Sequence, residues 1–389
     1  MRITRRDFLA LLAVAPAART AGVGAASPGL REWLKAKCAE GQFPGAALIA
    51  SRKGSVVLEL HLGTYCRLHE PRAPLGPDVR HPLFSYSKLV SATVVAIARD
   101  AGEIEYDSPV TAYIPEFKGG DKERITIRHL LTHSAGIPNV PLGAIHNEVE
   151  WQNALRSLCA ATLEWEPGSK TQYHALSGML LAAEAVRRVS AGESWETLCR
   201  RRLFEPLGAP SLSFQVPDDT VATVVTPPPQ QAPEHHGGCF GLAGHPAAGC
   251  FGTVADALKV LNLHLQDGVW NGRRLLSSKA LREMHTVQFE QEIHRARKLG
   301  KEPAHEPWGL GLLLRGPGPA GGSHAWFGIR DPRSPGLFGH AGLDTIIGVA
   351  DPTTQVAFMF ATTASPGSST TTIALRNEVT NRVLEWSGH

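Results

Sequence analysis

The segment Leu89–Ala101 constrains the fold most, because it is apolar on nearly every side of a helix. A surface helix keeps a polar face, so a helix without one must be buried all round. Gly102 follows in the position that glycine favours just past a helix end. With 389 residues, the chain is long enough to surround such a helix with a large core. The sequence therefore predicts a globular fold built around this helix.

Apolar runs near both chain ends predict a single sheet. Ala46–Ala50 and Val56–Leu60 flank the basic turn Arg52–Gly54, which is typical of an antiparallel hairpin. Three more strands are predicted at Gly309–Leu314, Thr345–Ala350 and Val356–Ala361. Helical patterns cover residues 127–133 (capped by Thr126), 151–161, 176–189, 253–265 and 370–386. Together these patterns predict an α/β (α+β) fold, with an antiparallel sheet built from both chain ends, flanking helices, and a helical insertion over approximately residues 103–245.

The first 26 residues have the order of an export signal. Three arginines precede a short apolar run, Phe8–Ala15, and a stretch of small residues, Val23–Ala26. The apolar run is too short to span a bilayer. Thr4–Leu9, with two adjacent arginines, is similar to the twin-arginine signal that exports folded proteins. We therefore expect a signal peptide at 1–26, a mature domain at 27–389, and a periplasmic or extracytoplasmic location.

Charge and hydropathy restrict the class of partner. Four arginines and one aspartate in residues 1–26 account for the whole formal charge of +3, so residues 27–389 carry no net charge. A neutral protein has no electrostatic reason to bind nucleic acid or an anionic membrane. No later stretch is long and apolar enough to span a bilayer, so we expect no stable membrane insertion.

The cysteines and one histidine cluster have either a structural or a metal-binding role. The six cysteines form no CxxC pair, and we expect small buried side chains rather than disulfides: Cys38, Cys66, Cys159, Cys199, Cys239 and Cys250. His235, His236 and Cys239, with His245 and Cys250 nearby, are an alternative zinc site. Their spacing matches no common zinc motif. We favour a polar loop over a cleft and expect neither metal nor cofactor.

The strongest chemical motif is Ser85-Tyr86-Ser87-Lys88, at the entrance to the apolar helix. Residues three apart share a helix face, so the Lys88 amine can approach the Ser85 hydroxyl. A serine is a poor nucleophile until a base takes its proton, and burial lowers a lysine pKa from about 10.4. The helix start also favours negative charge near Ser85. The spacing predicts a serine nucleophile with a lysine base.

Two further segments could complete such a site. Tyr173 lies in a loop before a helix, where a phenol could act as acid or base if a cation such as Lys88 depressed its pKa. His340-Ala341-Gly342 ends a glycine-flanked segment, which could supply a backbone N–H to an oxyanion.

In this order, these segments resemble the serine β-lactamase and penicillin-binding superfamily, in the branch of class C β-lactamases, D-aminopeptidases and family VIII carboxylesterases. The resemblance covers nearly all of the mature chain. It is carried by Phe43–Ala46, Phe84–Lys88, Ile125–Gly136 (ITIRHLLTHSAG), Ala248–Asp256 and Phe338–Gly342. It implies a β-lactamase/transpeptidase-like fold and an acyl-enzyme formed on Ser85.

The resemblance also implies roles for single residues. Lys88 corresponds to the base and Tyr173 to the general acid/base, while the amides of Ser85 and Leu343 would form the oxyanion hole, with His340 and Gly342 beside the substrate. His129 and His133 fall in a helical stretch that is structural in the family. The expected partner is a small ester, amide or peptide.

Two departures from the family pattern bear on the substrate. Tyr173-His174-Ala175 lacks the asparagine of the usual Tyr-x-Asn, and His340-Ala341-Gly342 replaces Lys-Thr-Gly. A neutral histidine binds a substrate carboxylate poorly. We therefore expect weak β-lactam hydrolysis and favour esters, with D-amino-acid peptides and acyl transfer as open alternatives.

One alternative is a catalytically degenerate binding protein on the same fold, suggested by the missing asparagine. Three predicted loops should shape the pocket in either case: Arg67–Pro82, Thr226–His245 and Gln288–Trp308.

Overall fold

The computed structural model describes residues 28–65, 72–140, 142–215, 242–315, 334, 336–343 and 345–387. Several predictions fall on the remaining residues. The signal at 1–26, the cysteines at 66 and 239, the histidines at 235 and 236, and most of the loop 226–245 all lie outside the described residues.

Both chain ends build one sheet, as the sequence predicts. Seven strands are ordered β3-β2-β1-β11-β10-β9-β8, and every neighbouring pair with a described register is antiparallel. The strands of the chain are β1 (Gly45–Arg52), β2 (Ser55–Tyr65), β3 (Ala73–Pro74), β4 (His81–Pro82), β5 (Phe251–Gly252), β6 (Val269–Trp270), β7 (Arg273–Arg274), β8 (Leu313–Leu314), β9 (Phe338–Gly342), β10 (Ile346–Asp351) and β11 (Val356–Thr362). β4 pairs with β5 and β6 with β7 in two short ribbons. This architecture confirms the predicted fold class.

The predicted hairpin is closed by a two-residue turn. Lys53 and Gly54, between β1 and β2, both have positive φ values, 49° and 79°. Two central residues with positive φ give the turn whose twist matches that of paired strands.

The predicted strand Gly309–Leu314 is wrong over most of its length. Only Leu313 and Leu314 pair, as β8. Gly311 has a φ of 77°, and a Cβ there would lie 2.3 Å from the Cβ of Ala92. The chain therefore bends at Gly311, against the central helix, and forms a strand only beyond it.

Helices cover both faces of the sheet. The central helix Ser87–Asp100 confirms the predicted buried helix, since even Lys88 is buried. The longer helices besides it are Pro28–Ala39, Glu148–Ala160, Ser177–Val189, Val254–Leu265, Glu290–Lys298 and the C-terminal helix Ser369–Trp386, with shorter ones at Ile127–Leu131, Trp195–Cys199, Glu205–Leu207 and Ser278–Met284. Among the described residues, none of these is long and apolar enough to cross a membrane.

The alternation of side chains along β1 divides the core into two layers. Ala47 and Ile49 belong to the cluster that contains the central helix. Ala46 and Leu48 belong to the other cluster, with Val379 of the C-terminal helix. Since successive residues of a strand point to opposite faces, the central and C-terminal helices lie on opposite sides of the sheet.

The segment Gln288–Trp308, predicted as a loop, contains the helix Glu290–Lys298. Acidic residues in its first turn and basic residues in its last suit the helix dipole. Ile293 is its only buried residue, and its nine residues include two apolar side chains, Ile293 and Ala296, which is too short a pattern to identify a helix from the sequence. Beyond this helix, the backbone N–H of Thr171 donates to the carbonyl of Ala304, which joins the segment to the chain that precedes Tyr173.

Candidate active site

Ser85 lies in a tight turn at the start of the central helix. The 3-10 turn Phe84–Tyr86 leads directly into the helix, and Phe84 has a φ of 44°, which is unfavourable for a bulky side chain. The surrounding structure holds this turn, because the Leu83 N–H donates to the Cys250 carbonyl and the Tyr86 hydroxyl to that of Ala257. Within residues 81–96, Ser85 alone is partly exposed. Such strained turns often occur at functional sites.

Lys88 contacts Ser85 as the spacing predicts. Its Nζ lies 3.2 Å from Ser85 Oγ and donates to the carbonyl of Ala247 at 3.1 Å. The side chain is 1% exposed. Burial lowers the pKa of Lys88 to about 7, because the charged ammonium loses its hydration. Near neutral pH, a large fraction of Lys88 is therefore a free amine.

The segment that supplies the Ala247 carbonyl is fixed to the central helix. Ser91 Oγ donates to the carbonyl of Pro246 at 2.7 Å, and Ser87 Oγ accepts from the Cys250 N–H at 3.1 Å. Two buried serines thus hold this segment beside Lys88.

Tyr173 completes a three-residue cluster. Its hydroxyl donates to Ser85 Oγ at 2.7 Å, and Lys88 Nζ lies 5.0 Å from the centre of its ring. The expected depression of the Tyr173 pKa by Lys88 is wrong. Burial raises the pKa of Tyr173 and outweighs the opposite effect of the hydrogen bond with Ser85. Tyr173 is therefore a neutral phenol, suited to donate a proton.

Two aromatic side chains pack against Tyr173 and against each other. Trp308 stacks on the ring with centroids 5.9 Å apart, and the His133 ring centre lies at 4.7 Å. His133 is buried, and burial with the nearby Lys88 charge lowers its pKa well below the usual range. From the sequence, His133 is expected to be structural and Trp308 to end a loop that shapes the pocket; the structure places both rings against Tyr173. His129, in contrast, is structural: it shares a capping box with Thr126 at the helix Ile127–Leu131.

Position 175, where the family pattern has asparagine, carries no polar side chain. Ala175 ends in a methyl group. The neighbouring His174 pairs with Glu164 at 3.1 Å and packs on Trp165, with ring centres 4.9 Å apart. Its imidazole is thus engaged outside the Ser85–Lys88–Tyr173 cluster.

The end of β9 lies against the Ser85 turn. A Cβ added to Gly342 would lie 2.2 Å from the carbonyl oxygen of Leu83 and 3.0 Å from the Cβ of Phe84. Only glycine allows this close approach. Leu343, the next residue, is 54% exposed. The structure therefore places Gly342 against Leu83 and Phe84, at the Ser85 turn, with Leu343 directly after it.

His340 is a neutral, buried imidazole. Its Nδ1 lies 2.6 Å from the Ala341 carbonyl, so Nδ1 carries the proton. Nε2 has no hydrogen-bond partner in the described part of the chain. Burial, with the Lys88 charge as a smaller cause, lowers the pKa of His340 to about 3. The third motif therefore carries no positive charge at neutral pH.

The described residues contain no group of three or more side chains placed to hold a metal ion. Of the alternative zinc site, His245 and Cys250 are described. The Nδ1 atom of His245 accepts the N–H of Ala247 at 3.0 Å, and Cys250 is a free, buried thiol. Cys38, Cys159 and Cys199 are also free thiols.

Comparisons with known proteins give matches of sequence and of fold. A family model described as "Beta-lactamase" matches residues 30–380. "Esterase/beta-lactamase LipL" of Mycobacterium tuberculosis is 30% identical over 185 residues, which cover 47% of this chain and 42% of that protein. The alignment thus spans less than half of that curated relative.

Two solved structures share the fold. A penicillin-binding protein homologue from Caulobacter crescentus has a TM-score of 0.71 at 23% identity, covering 92% of this chain and 96% of its own. A family VIII carboxylesterase has a TM-score of 0.70 at 24% identity, covering 93% and 98%. At these identities the likeness concerns the fold alone.

Proposed function

The chain belongs to the beta-lactamase family, a family of serine hydrolases that includes esterases, and we propose that it is an exported hydrolase that forms an acyl-enzyme on Ser85. The observation that carries this proposal is the contact of one hydroxyl with two proton-transfer groups. Ser85 Oγ lies 3.2 Å from Lys88 Nζ and 2.7 Å from Tyr173 Oη. The alternative, a degenerate binding protein, is motivated by Ala175 but leaves this arrangement without a purpose.

In the proposed acylation step, Lys88 acts as the base. When the amine is neutral, the contact with Ser85 reverses, and the hydroxyl donates to Nζ. As Oγ bonds to the ester carbonyl carbon, its proton passes to Lys88 and the carbonyl electron pair moves to oxygen. Collapse of this intermediate expels the alkoxide, which takes the phenolic proton of Tyr173, and the Lys88 ammonium restores that proton. Water then attacks the acyl carbonyl carbon and passes a proton to Lys88; the bond from that carbon to Ser85 Oγ breaks, Oγ takes the proton back, and the acid is released.

We place the oxyanion between the backbone N–H groups of Ser85 and Leu343. The contact of Gly342 with the Ser85 turn supports this, since it holds the strand end beside the nucleophile. The start of the central helix adds a favourable dipole. One such donor typically contributes about 10²–10³-fold to kcat.

The polar groups of the site favour an ester over a β-lactam. His340 is neutral and buried, so it gives a substrate carboxylate no cationic partner. The methyl side chain of Ala175 cannot form a hydrogen bond with a substrate amide. An ester needs neither, and its leaving group needs less protonation than an amine. D-amino-acid peptides and acyl transfer share the same acyl-enzyme and are the other substrate classes to compare.

A substrate panel tests this proposal. We expect p-nitrophenyl acetate and butyrate to be hydrolysed with a kcat/KM at least about 100-fold above that for nitrocefin, with D-alanyl p-nitroanilide between them. Initial rates at one pH give the comparison, and Ser85→Ala run in parallel gives the background. Efficient nitrocefin turnover would show that the neutral third motif does not exclude β-lactams. No turnover of any member would favour the binding protein.

We also propose that residues 1–26 are a twin-arginine signal and that residues 27–389 are the mature domain, with its helical insertion at approximately 103–245. Replacing Arg5 and Arg6 together by lysine should retain the protein in the cytoplasm, because the export route requires both arginines. Arg2→Lys is the control and should be exported. Cell fractionation and N-terminal sequencing measure the result, with a mature start expected at Ser27. Export of the double variant, or a retained N-terminus outside the cytoplasm, would contradict the proposal.

A further inference from the structure

Arg376, on the C-terminal helix, binds the backbone at the end of β9. Its Nη2 donates to the carbonyl of Gly342 at 2.6 Å and to that of Leu343 at 2.8 Å. The side chain is 7% exposed. Resting on the proposed function, we propose that Arg376 is a positioning residue that orients the Leu343 N–H toward the oxyanion.

Because the peptide bond is planar, the direction of the Gly342 carbonyl determines the direction of the Leu343 N–H. The carbonyl of Gly342 and the N–H of Leu343 belong to one peptide unit, and no described peptide bond is cis. In a trans unit these groups point in opposite directions. A donor that fixes the direction of the Gly342 oxygen therefore also fixes the direction of the Leu343 N–H.

The C-terminal helix and the central helix lie on opposite sides of the sheet, as a Leu343 N–H directed at the oxyanion requires. The C-terminal helix packs on one face of the sheet, and the central helix on the other. Arg376 reaches the Gly342 oxygen from the first side. The Ser85 turn contacts Gly342 from the second, through Leu83 and Phe84. An N–H turned away from Arg376 thus faces the side that holds Ser85.

The sheet itself gives this peptide little support. The β9–β10 ladder ends at the pair Gly342–Ile346, and β8 pairs only with Phe338 and Gly339. Leu343 lies beyond both ladders and is more than half exposed. Stabilisation of an oxyanion depends on donors whose direction is fixed before reaction, so a peptide at a strand end needs an additional anchor.

The charge of the guanidinium adds a second effect. A hydrogen bond to a carbonyl polarises the peptide unit and strengthens the N–H of the same unit as a donor. A neutral amide side chain at position 376 would supply one weaker bond. A lysine would keep the charge but lose the rigid fork of N–H groups that reaches two oxygens.

Kinetics of an ester and its thionoester, in which sulfur replaces the carbonyl oxygen, test the proposal. For Arg376→Gln we expect kcat for p-nitrophenyl butyrate to fall about 10- to 100-fold, with KM changed less than about 3-fold. Since sulfur accepts hydrogen bonds weakly, the ratio of ester to thionoester kcat should also fall, by about 10-fold. Arg376→Lys should recover part of both losses.

Arg382→Gln is the matched control. Arg382 lies on the same helix but pairs with Glu378 and packs on Trp33, so both kinetic parameters and the ratio should stay at the wild-type level. If Arg376→Gln lowers Tm or kcat but leaves the ester to thionoester ratio unchanged, Arg376 only stabilises the fold and the proposal is wrong.

Crystal structures of the wild type and Arg376→Gln separate this proposal from the proposed function. We expect the Gly342–Leu343 peptide unit to rotate in the variant. An unchanged peptide would overturn the positioning role even if the wild type hydrolyses no ester. A rotated peptide in an inactive protein would support positioning while the proposed function fails.

Discussion

Ser85→Ala is expected to lower ester hydrolysis by roughly 10³- to 10⁶-fold, because removing a nucleophile leaves only the catalysis due to binding and the oxyanion hole. The same substitution should abolish labelling by a fluorophosphonate. In that reaction Ser85 Oγ bonds to phosphorus, fluoride leaves, and the hydroxyl proton passes to Lys88. Intact-protein mass spectrometry detects one adduct per wild-type chain, and peptide mapping assigns it to Ser85.

Ser87→Ala is the matched control, since Ser87 is the nearest other serine in the sequence and begins the central helix. It is buried, and its Oγ accepts the N–H of Cys250. Losing that hydrogen bond should cost about 1–3 kcal/mol of stability but leave the adduct in place. An adduct that persists in Ser85→Ala and disappears in Ser87→Ala would move the nucleophile to position 87.

Lys88→Met and Lys88→Arg are expected to lower kcat by about 10²–10⁴-fold, the usual contribution of a positioned base. Methionine keeps the apolar volume but has no basic nitrogen. Arginine keeps a nitrogen beside Ser85 but cannot lose its proton, so it cannot accept another. Equal losses in both variants would show that the free amine, rather than a positive charge, is needed.

The pH dependence of kcat/KM provides the second readout for Lys88. Its pKa of about 7 means that the amine is protonated below this pH and free above it. Wild-type activity should therefore rise with pH through about 7. It should not fall again near neutrality, because burial raises the pKa of Tyr173 and keeps the phenol protonated. In Lys88→Met and Lys88→Arg, kcat/KM should not increase with pH in this way.

Lys170→Met is the control for these experiments. Lys170 is three residues from Tyr173 but packs on the Trp165 ring at 4.2 Å, outside the cluster. We expect Lys170→Met to have the activity and the pH profile of the wild type. If Lys88→Arg retains activity with the same pH profile, Lys88 is not the base.

The parts of the site that sequence predicted correctly depend on local geometry. The Ser85–Lys88 contact follows from a three-residue spacing at a helix start. The apolar character of 89–101 gives the burial that lowers the lysine pKa. The hairpin follows from two apolar runs on either side of a basic turn that contains glycine. Tyr173, in contrast, is 88 positions from Ser85, and only the resemblance to a family connected them.

The remaining features arise from tertiary packing. No local pattern indicates that Trp308 stacks on Tyr173, since the two residues meet only when distant segments pack together. The direction in which the Tyr173 pKa shifts depends on how fully the ring is buried. The spacing of residues in the sequence does not show how deeply a side chain is buried. Arg376 belongs to no recognisable sequence motif. It contacts two backbone carbonyl oxygens, a group that every residue has, so the sequence does not indicate its role. Glu290–Lys298 has only two apolar residues, Ile293 and Ala296, which is too short a pattern to distinguish a helix from a loop.

The central position of β1 has a consequence for biogenesis. β1 lies between β2 and β11, and the Thr363 hydroxyl donates to the carbonyl of Gly45 across 318 positions of sequence. A chain still emerging from the ribosome cannot form these contacts until residues 356–363 have been synthesised. Folds dominated by such distant pairings form slowly. Hydrolytic activity should thus appear only after these residues have left the ribosome and paired with β1.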